Sequence, residues 1–166
     1  MTSPRNPVVT IAEKLKALKI FPEGLDADAI EDEHALMQAL REHTRGAQLK
    51  FYGEDVGTDN GADEDYVAML RRFGKASGGA IAYDKLQSGM EGDTVNISFE
   101  SEGRPVTWSF EQESDSMSEE FLQLVMDHSK TCSAGEFINL LDDNSLMVGY
   151  VPREIAQLLY AHDVIY

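Results

Sequence analysis

Four histidines and one cysteine are the side chains of this sequence whose chemistry most often serves catalysis or metal binding. Glu31 and His34 make a single Glu-x-x-His step, whereas di-iron bundles use two such steps with further glutamates. His34 follows Ile30 by four residues, so we interpret it as a packed helix residue. His128 precedes Cys132 by four residues, but an activated thiolate needs a base that is itself oriented by a third group, and the sequence supplies none. Cys132 is therefore predicted to be a small buried thiol.

An acidic loop at residues 53–61 is the remaining candidate for metal chemistry. Counted from Asp55, its sixth position is Asn60 instead of glycine and its twelfth is Tyr66 instead of glutamate, so the EF-hand pattern fails. The sequence also lacks a Gly-rich phosphate loop and a Gly-x-Ser-x-Gly motif. We therefore predict a non-enzymatic chain with no catalytic residue, no metal site and no cofactor. A metal-dependent enzyme or divalent-ion-binding protein that uses clustered carboxylates stays open as the alternative.

The charge of the chain indicates its partners more clearly than any motif. The sequence has 14 basic and 30 acidic residues, a formal net charge of −16. Nearly all of the excess lies in residues 51–166, and two stretches, 54–65 and 111–127, contain no lysine or arginine. A field of this sign repels nucleic acid and anionic membranes and attracts basic proteins. We predict a basic protein partner, with no nucleic-acid and no membrane binding.

Gathered carboxylates would raise the association rate with a basic partner, and salt would weaken that effect. Tyr52, Tyr66 and Phe121 are nearby in sequence and are candidates for aromatic anchors. A solvated surface that only maintains solubility is the other interpretation, although such surfaces usually intersperse both signs. The predicted partner-binding residues are Glu54, Asp55, Asp59, Asp63, Glu64, Asp65, Glu111, Glu113, Asp115, Glu119 and Glu120.

The elements that position these carboxylates begin with helices. Residues 1–7 contain two prolines and are predicted to be a loose arm, and residues 8–46 carry helical spacing of apolar residues. The second helix is expected to be capped by Asp26 or Asp28 and to end at Gly46 in a left-handed conformation. The chain has one cysteine and no apolar stretch of membrane-spanning length, so we expect a cytoplasmic protein.

Residues 47–166 are predicted to form an α+β part. Alternating apolar residues predict one hairpin over residues 95–110 and a second over residues 136–151. Between them, Ser116 and Glu119 have the spacing of a capping box at the start of a helix, and a last helix follows the second hairpin. The predicted fold is α+β, a β-β-α-β-β-α sheet with helices on one face, preceded by N-terminal helices in a single domain over residues 1–166.

The alternating strand at residues 106–110, the helix after it and the run at residues 146–159 also carry a resemblance. In these features, residues 95–166 resemble small bacterial immunity proteins that neutralise polymorphic or contact-dependent toxins. The resemblance implies an acidic, compact, cytoplasmic and non-enzymatic protein that blocks the active site of one cognate toxin. It implies no particular site residues, because these families recognise their partners through variable surfaces. An acidic adaptor protein without a toxin partner is the third interpretation.

Overall fold

The computed structural model describes residues 6–51, 55–57, 61–140 and 146–162. Helices and antiparallel sheets are both present in these ranges, which confirms the predicted α+β class. The helices are α1 (Pro7–Ala17), α2 (Glu33–His43), α3 (Ala62–Ala76), α4 (Glu119–Thr131) and α5 (Arg153–Ala161). The strands are β1 (Gln48–Phe51), β2 (Asp84–Glu91), β3 (Thr94–Ser101), β4 (Arg104–Glu111), β5 (Gly135–Asn139) and β6 (Leu146–Pro152).

The described strands form two sheets instead of the one sheet that the sequence predicts. The first sheet has the strand order β1-β6-β5 and the second has the order β2-β3-β4, and every pairing is antiparallel. The two predicted hairpins, β3–β4 and β5–β6, therefore belong to different sheets. Each hairpin gains a third strand. The distant β1 pairs with β6, whereas β2, which directly precedes β3 in the chain, pairs with β3.

The first sheet is covered by helices on both faces. Ile138 and Val151 pack in a core with α1, α2 and α5, whereas Phe137 and Val148 pack in a second core with α3 and α4. Alternate side chains of a strand point to opposite faces, so adjacent residues of β5 serve different cores. The inner face of the second sheet closes the second core with Val95, Ile97, Phe99, Trp108 and Phe110. The expected arrangement, with helices on one face only, fits the second sheet.

Two helix boundaries in the N-terminal part differ from the prediction. Asp32 caps α2, since its carboxylate accepts from the Ala35 amide at 2.8 Å. Asp26 instead caps a short 3-10 turn at Ala27–Ala29. Gly46 lies inside another 3-10 turn and is not among the glycines with a positive φ, because the chain turns directly from α2 into β1.

The β3–β4 hairpin closes through a two-residue turn at Glu102 and Gly103, whose φ angles are 51° and 76°. Two positive φ values are typical of the type I′ turn, which matches the twist of the flanking strands. Ser133 holds this turn from the end of α4, because its amide and hydroxyl donate to Glu102 Oε1 at 3.1 and 2.9 Å. No helix in the described ranges combines the length and apolar character needed to span a membrane.

Candidate functional site

The first acidic segment, residues 54–65, leads into α3. This helix begins after Gly61, and Asp63, Glu64 and Asp65 occupy its first turn. The Asp65 carboxylate accepts from the Gly57 amide at 2.6 Å, which folds the described part of the segment back onto the helix. The Ser88 hydroxyl of β2 donates to Asp63 Oδ2 at 2.7 Å. The start of α3 is thereby attached to the second sheet.

The second acidic segment, residues 111–127, runs from the last residue of β4 into α4. Thr94 of β3 donates to Glu111 Oε1 at 2.6 Å across the strand pair. The expected capping box at Ser116 and Glu119 is wrong, because Ser118 is the cap and its hydroxyl oxygen accepts from the Phe121 amide at 3.3 Å. The helix therefore begins two residues later than that pattern requires, with Glu119 and Glu120 in its first turn.

The two acidic segments meet in space. Asp55 and Ser116 form an isolated antiparallel bridge, and the Val56 amide donates to the Asp115 carbonyl at 2.6 Å. The described parts of the two segments are therefore in contact with each other, close to the starts of α3 and α4. We call this region the acidic surface and define it by the described residues among those predicted. They are Asp55, Asp63, Glu64, Asp65, Glu111, Glu113, Asp115, Glu119 and Glu120.

A buried, uncharged network underlies the acidic surface. The hydroxyl of fully buried Tyr66 donates to Gln112 Oε1 and accepts from the Ser118 amide at 2.7 Å. The Gln112 side-chain amide donates to the Ser114 and Ser116 carbonyls, both at 2.6 Å. Sequence reasoning missed this role of Gln112. The signal was available, because the alternation of Trp108 and Phe110 places position 112 on the same inward face.

Most carboxylates of the acidic surface are accessible to a partner. Asp63 and Asp65 are half-buried, and Glu54 and Asp59 lie outside the described residues. The exposed members are Asp55, Glu64, Glu111, Glu113, Asp115, Glu119 and Glu120. A shallow cleft of about 290 Å³ opens between the end of β4 and the start of α4, with Glu113, Met117 and Glu120 in its lining.

Two of the three predicted aromatic anchors, Tyr66 and Phe121, are not part of this surface. Tyr66 and Phe121 are both 0% exposed, and their rings pack 4.5 Å apart between centroids. Phe110 joins them, with its ring centroid 4.9 Å from that of Tyr66 in an edge-on contact. Both predictions are therefore wrong, because these rings fill the core below the carboxylates. Tyr52 lies outside the described residues.

The local electrostatics combine carboxylates with two helix N-termini. The positive ends of the α3 and α4 dipoles lie here, and acidic residues in a first turn stabilise a helix. This accounts for Asp63–Asp65, Glu119 and Glu120, but not for Glu113 and Asp115, which precede the helix. Burial raises the pKa of the Tyr66 hydroxyl, the Ser118 amide opposes that shift, and the Asp65 charge adds to it. Tyr66 is therefore neutral at physiological pH, and its hydroxyl donates a hydrogen bond to Gln112 Oε1.

His34 is exposed, so its interpretation as a packed residue is wrong. Cys132 and His128 lie at the end of α4, against the second sheet. Cys132 is 4% exposed, as predicted, and burial raises the pKa of its thiol. Its Sγ lies 3.6 Å from the His128 carbonyl oxygen. A buried thiol with a raised pKa carries little thiolate at neutral pH, which is the opposite of what a nucleophile needs.

Metal binding was the open alternative for the clustered carboxylates. Among the residues that the structure describes, no group of three or more His, Cys, Asp or Glu side chains is arranged to hold a metal ion. Several of these carboxylates are bonded to hydroxyl or backbone donors, such as Asp63 to Ser88 and Asp65 to Gly57. What the arrangement offers chemically is a set of accessible negative charges on a folded support.

A comparison of the chain with protein-family models, with curated proteins and with solved structures found no match.

Proposed function

We propose that this chain is a non-enzymatic binding protein whose acidic surface docks onto a basic protein. The observation that carries the proposal is the contact between the two acidic segments, made by the Asp55–Ser116 bridge and the Val56–Asp115 hydrogen bond. This contact brings two acidic parts of the chain, distant in sequence, next to each other, which supports a shared binding surface. A surface that served solubility alone would not require this convergence.

The partner that fits best is a basic toxin whose active site normally holds an anionic substrate. The exposed carboxylates would take the place of that substrate, pair with the basic residues around the toxin's cleft and occlude it. The resemblance of residues 95–166 to bacterial immunity proteins supports this assignment, as does the net charge of −16. The single cysteine accords with action in the cytoplasm, where thiols stay reduced.

The gene next to the one that encodes this chain identifies the partner to be tested. An immunity protein is expected to be encoded directly beside its toxin, so the probe is the protein encoded by the neighbouring gene. We expect it to be basic, to harm a host cell when expressed alone, and to be neutralised when this chain is expressed with it. A neighbouring protein that is not toxic, or whose toxicity this chain leaves unchanged, would contradict the proposal.

The position of the interface is tested by charge reversal with a matched control. Glu64→Lys and Glu113→Lys change one exposed residue in each acidic segment. Electrostatic steering predicts that the double variant associates about tenfold more slowly at low salt, with a shallower salt dependence. The control is Glu23→Lys with Glu31→Lys, which makes the same change in net charge at exposed residues between α1 and α2. Equal slowing by both double variants, in stopped-flow measurements, would show that the acidic surface is not the docking site.

A further inference from the structure

The two acidic segments repel each other, so uncharged contacts must hold them together. Among the described carboxylates of the acidic surface, none forms an ion pair with a described lysine or arginine. The contacts that join the segments are instead the Asp55–Ser116 bridge, the Val56–Asp115 hydrogen bond and the network around Tyr66. This arrangement joins the segments without an ion pair that would neutralise their described carboxylates.

Tyr66 is the one side chain of α3 that the described network connects to both ends of the loop at residues 112–118. Its hydroxyl donates to Gln112 at the start of that loop and accepts from the Ser118 amide at its end, at 2.7 Å. Asp63, Glu64 and Asp65 are the three residues directly before Tyr66, and Glu119 follows Ser118 directly. One buried hydroxyl therefore sets the distance between the acidic first turns of two helices.

Gln112 sets the shape of the loop itself. Only 9% of this residue is exposed, and its backbone amide donates to the Asp93 carbonyl at 2.8 Å. Its side-chain amide donates to the Ser114 and Ser116 carbonyls, the residues on either side of Asp115. The buried Gln112 side chain thus fixes the backbone on which Glu113 and Asp115 lie.

We propose that Tyr66 and Gln112 are positioning residues for partner binding, which keep the two acidic segments in one preorganised constellation. The inference rests on the proposed function and adds a determinant of affinity that no partner needs to touch. Preorganisation lowers the cost of ordering an interface, so its loss weakens binding even where every carboxylate is retained. A purely structural role for the same hydrogen bonds would affect folding stability alone.

The test compares Tyr66→Phe with Tyr160→Phe. Each change removes one hydroxyl and keeps the ring, and Tyr160 donates to Glu136 Oε2 at 3.0 Å beside the first sheet, away from the acidic surface. Both variants should lose stability. Only Tyr66→Phe should bind the protein encoded by the neighbouring gene more weakly, by about tenfold in Kd. Gln112→Met, which removes the same network from its other side, should reproduce the effect of Tyr66→Phe.

A measurement on the free protein tests whether the Tyr66 hydroxyl holds the start of α4 in place. Hydrogen exchange at the Ser118 amide should become about fivefold to tenfold faster in Tyr66→Phe, because its hydrogen-bond acceptor is lost. The same amide should exchange at the wild-type rate in Tyr160→Phe. Unchanged exchange at Ser118 in Tyr66→Phe would overturn the positioning role.

The binding results separate failure of this inference from failure of the proposed function. If the wild-type chain binds the neighbouring protein and Tyr66→Phe binds it equally well, the positioning role is wrong and the proposed function stands. If Tyr66→Phe and Tyr160→Phe weaken binding equally, the effect is one of stability and the positioning role is again wrong. If the wild-type chain does not bind that protein, the proposed function and the inference fall together.

Discussion

His128 illustrates at the scale of a single residue how burial changes chemistry. Its ring contacts those of Tyr83, Phe99 and Trp108, with centroid distances of 5.9, 5.3 and 6.0 Å. The Nδ1 atom is buried and has no hydrogen-bond partner in the described structure. Burial lowers the pKa of His128, and the Glu102 carboxylate opposes this shift. The imidazole is therefore held neutral among aromatic rings.

This environment predicts that acid destabilises the fold through His128. An unfolded histidine takes up a proton as the pH falls below about 6.5, whereas the native one resists until a lower pH. The free energy of unfolding should therefore fall as the pH drops below about 6.5. In His128→Leu this part of the decline should be absent, as judged by urea denaturation over that pH range. His162→Leu, at an exposed histidine, should keep the wild-type slope, and an equal slope in all three proteins would contradict the prediction.

At the scale of elements, an ion pair with a buried carboxylate joins α5 to the first sheet and to the end of α4. The Arg153 guanidinium pairs with Glu136, whose side chain is 4% exposed. It also donates to the carbonyls of Ser129 and Gly135, at 3.0 and 3.1 Å, and to that of Cys132. Tyr160 donates to the second Glu136 oxygen, and burial, with this contact, raises the pKa of Tyr160 to about 12.

Removing the arginine should therefore cost far more than removing the exposed ion pair between Lys14 of α1 and Glu154 of α5. Arg153→Met leaves the Glu136 carboxylate buried without its charge partner, and we expect a loss of about 3–5 kcal/mol in the free energy of unfolding. Lys14→Met breaks the exposed pair with Glu154, 3.2 Å apart, and should cost less than about 1 kcal/mol. Chemical denaturation of both variants measures the difference. Similar losses of unfolding free energy in the two variants would mean that the Arg153–Glu136 pair contributes no more than an exposed ion pair.

At the scale of the whole molecule, the net charge of −16 acts against folding. The fold brings negative charges closer together than they are in the unfolded chain, and their mutual repulsion destabilises the compact state. This repulsion is strongest at the acidic surface, where the two segments meet. If these carboxylates serve partner binding, the protein retains a less stable surface for the sake of that interaction.

Neutralising part of the acidic surface should therefore stabilise the free protein. Glu113→Gln with Asp115→Asn removes two exposed charges. Both residues precede α4, outside the first turn in which a negative charge would stabilise the helix dipole. We expect a gain of about 1 kcal/mol at low salt, or about 2–4 °C in Tm, by differential scanning calorimetry. The gain should shrink at high salt, where wild-type repulsion is already screened. A gain that does not depend on salt, or a loss of stability, would show that repulsion is not the cause.

Where burial follows a simple period along the chain, the sequence was sufficient to predict the elements. Val95, Ile97 and Phe99 alternate with polar residues and form β3 as expected. The strand β2 was missed because it is an edge strand with mostly exposed residues, which leaves no alternation to detect. The dipeptide Gly92-Asp93 between β2 and β3 was the available signal, since such pairs are typical of tight hairpin turns.

The charge, the α+β class and the main helices and hairpins follow from the sequence alone, because composition and local periodicity record which face of each element avoids water. The division of the strands between two sheets and the meeting of Asp55 with Ser116 were decided only by the tertiary structure. These features depend on contacts between residues distant in sequence, and a local pattern carries no information on which distant partner a buried face or a loop will meet.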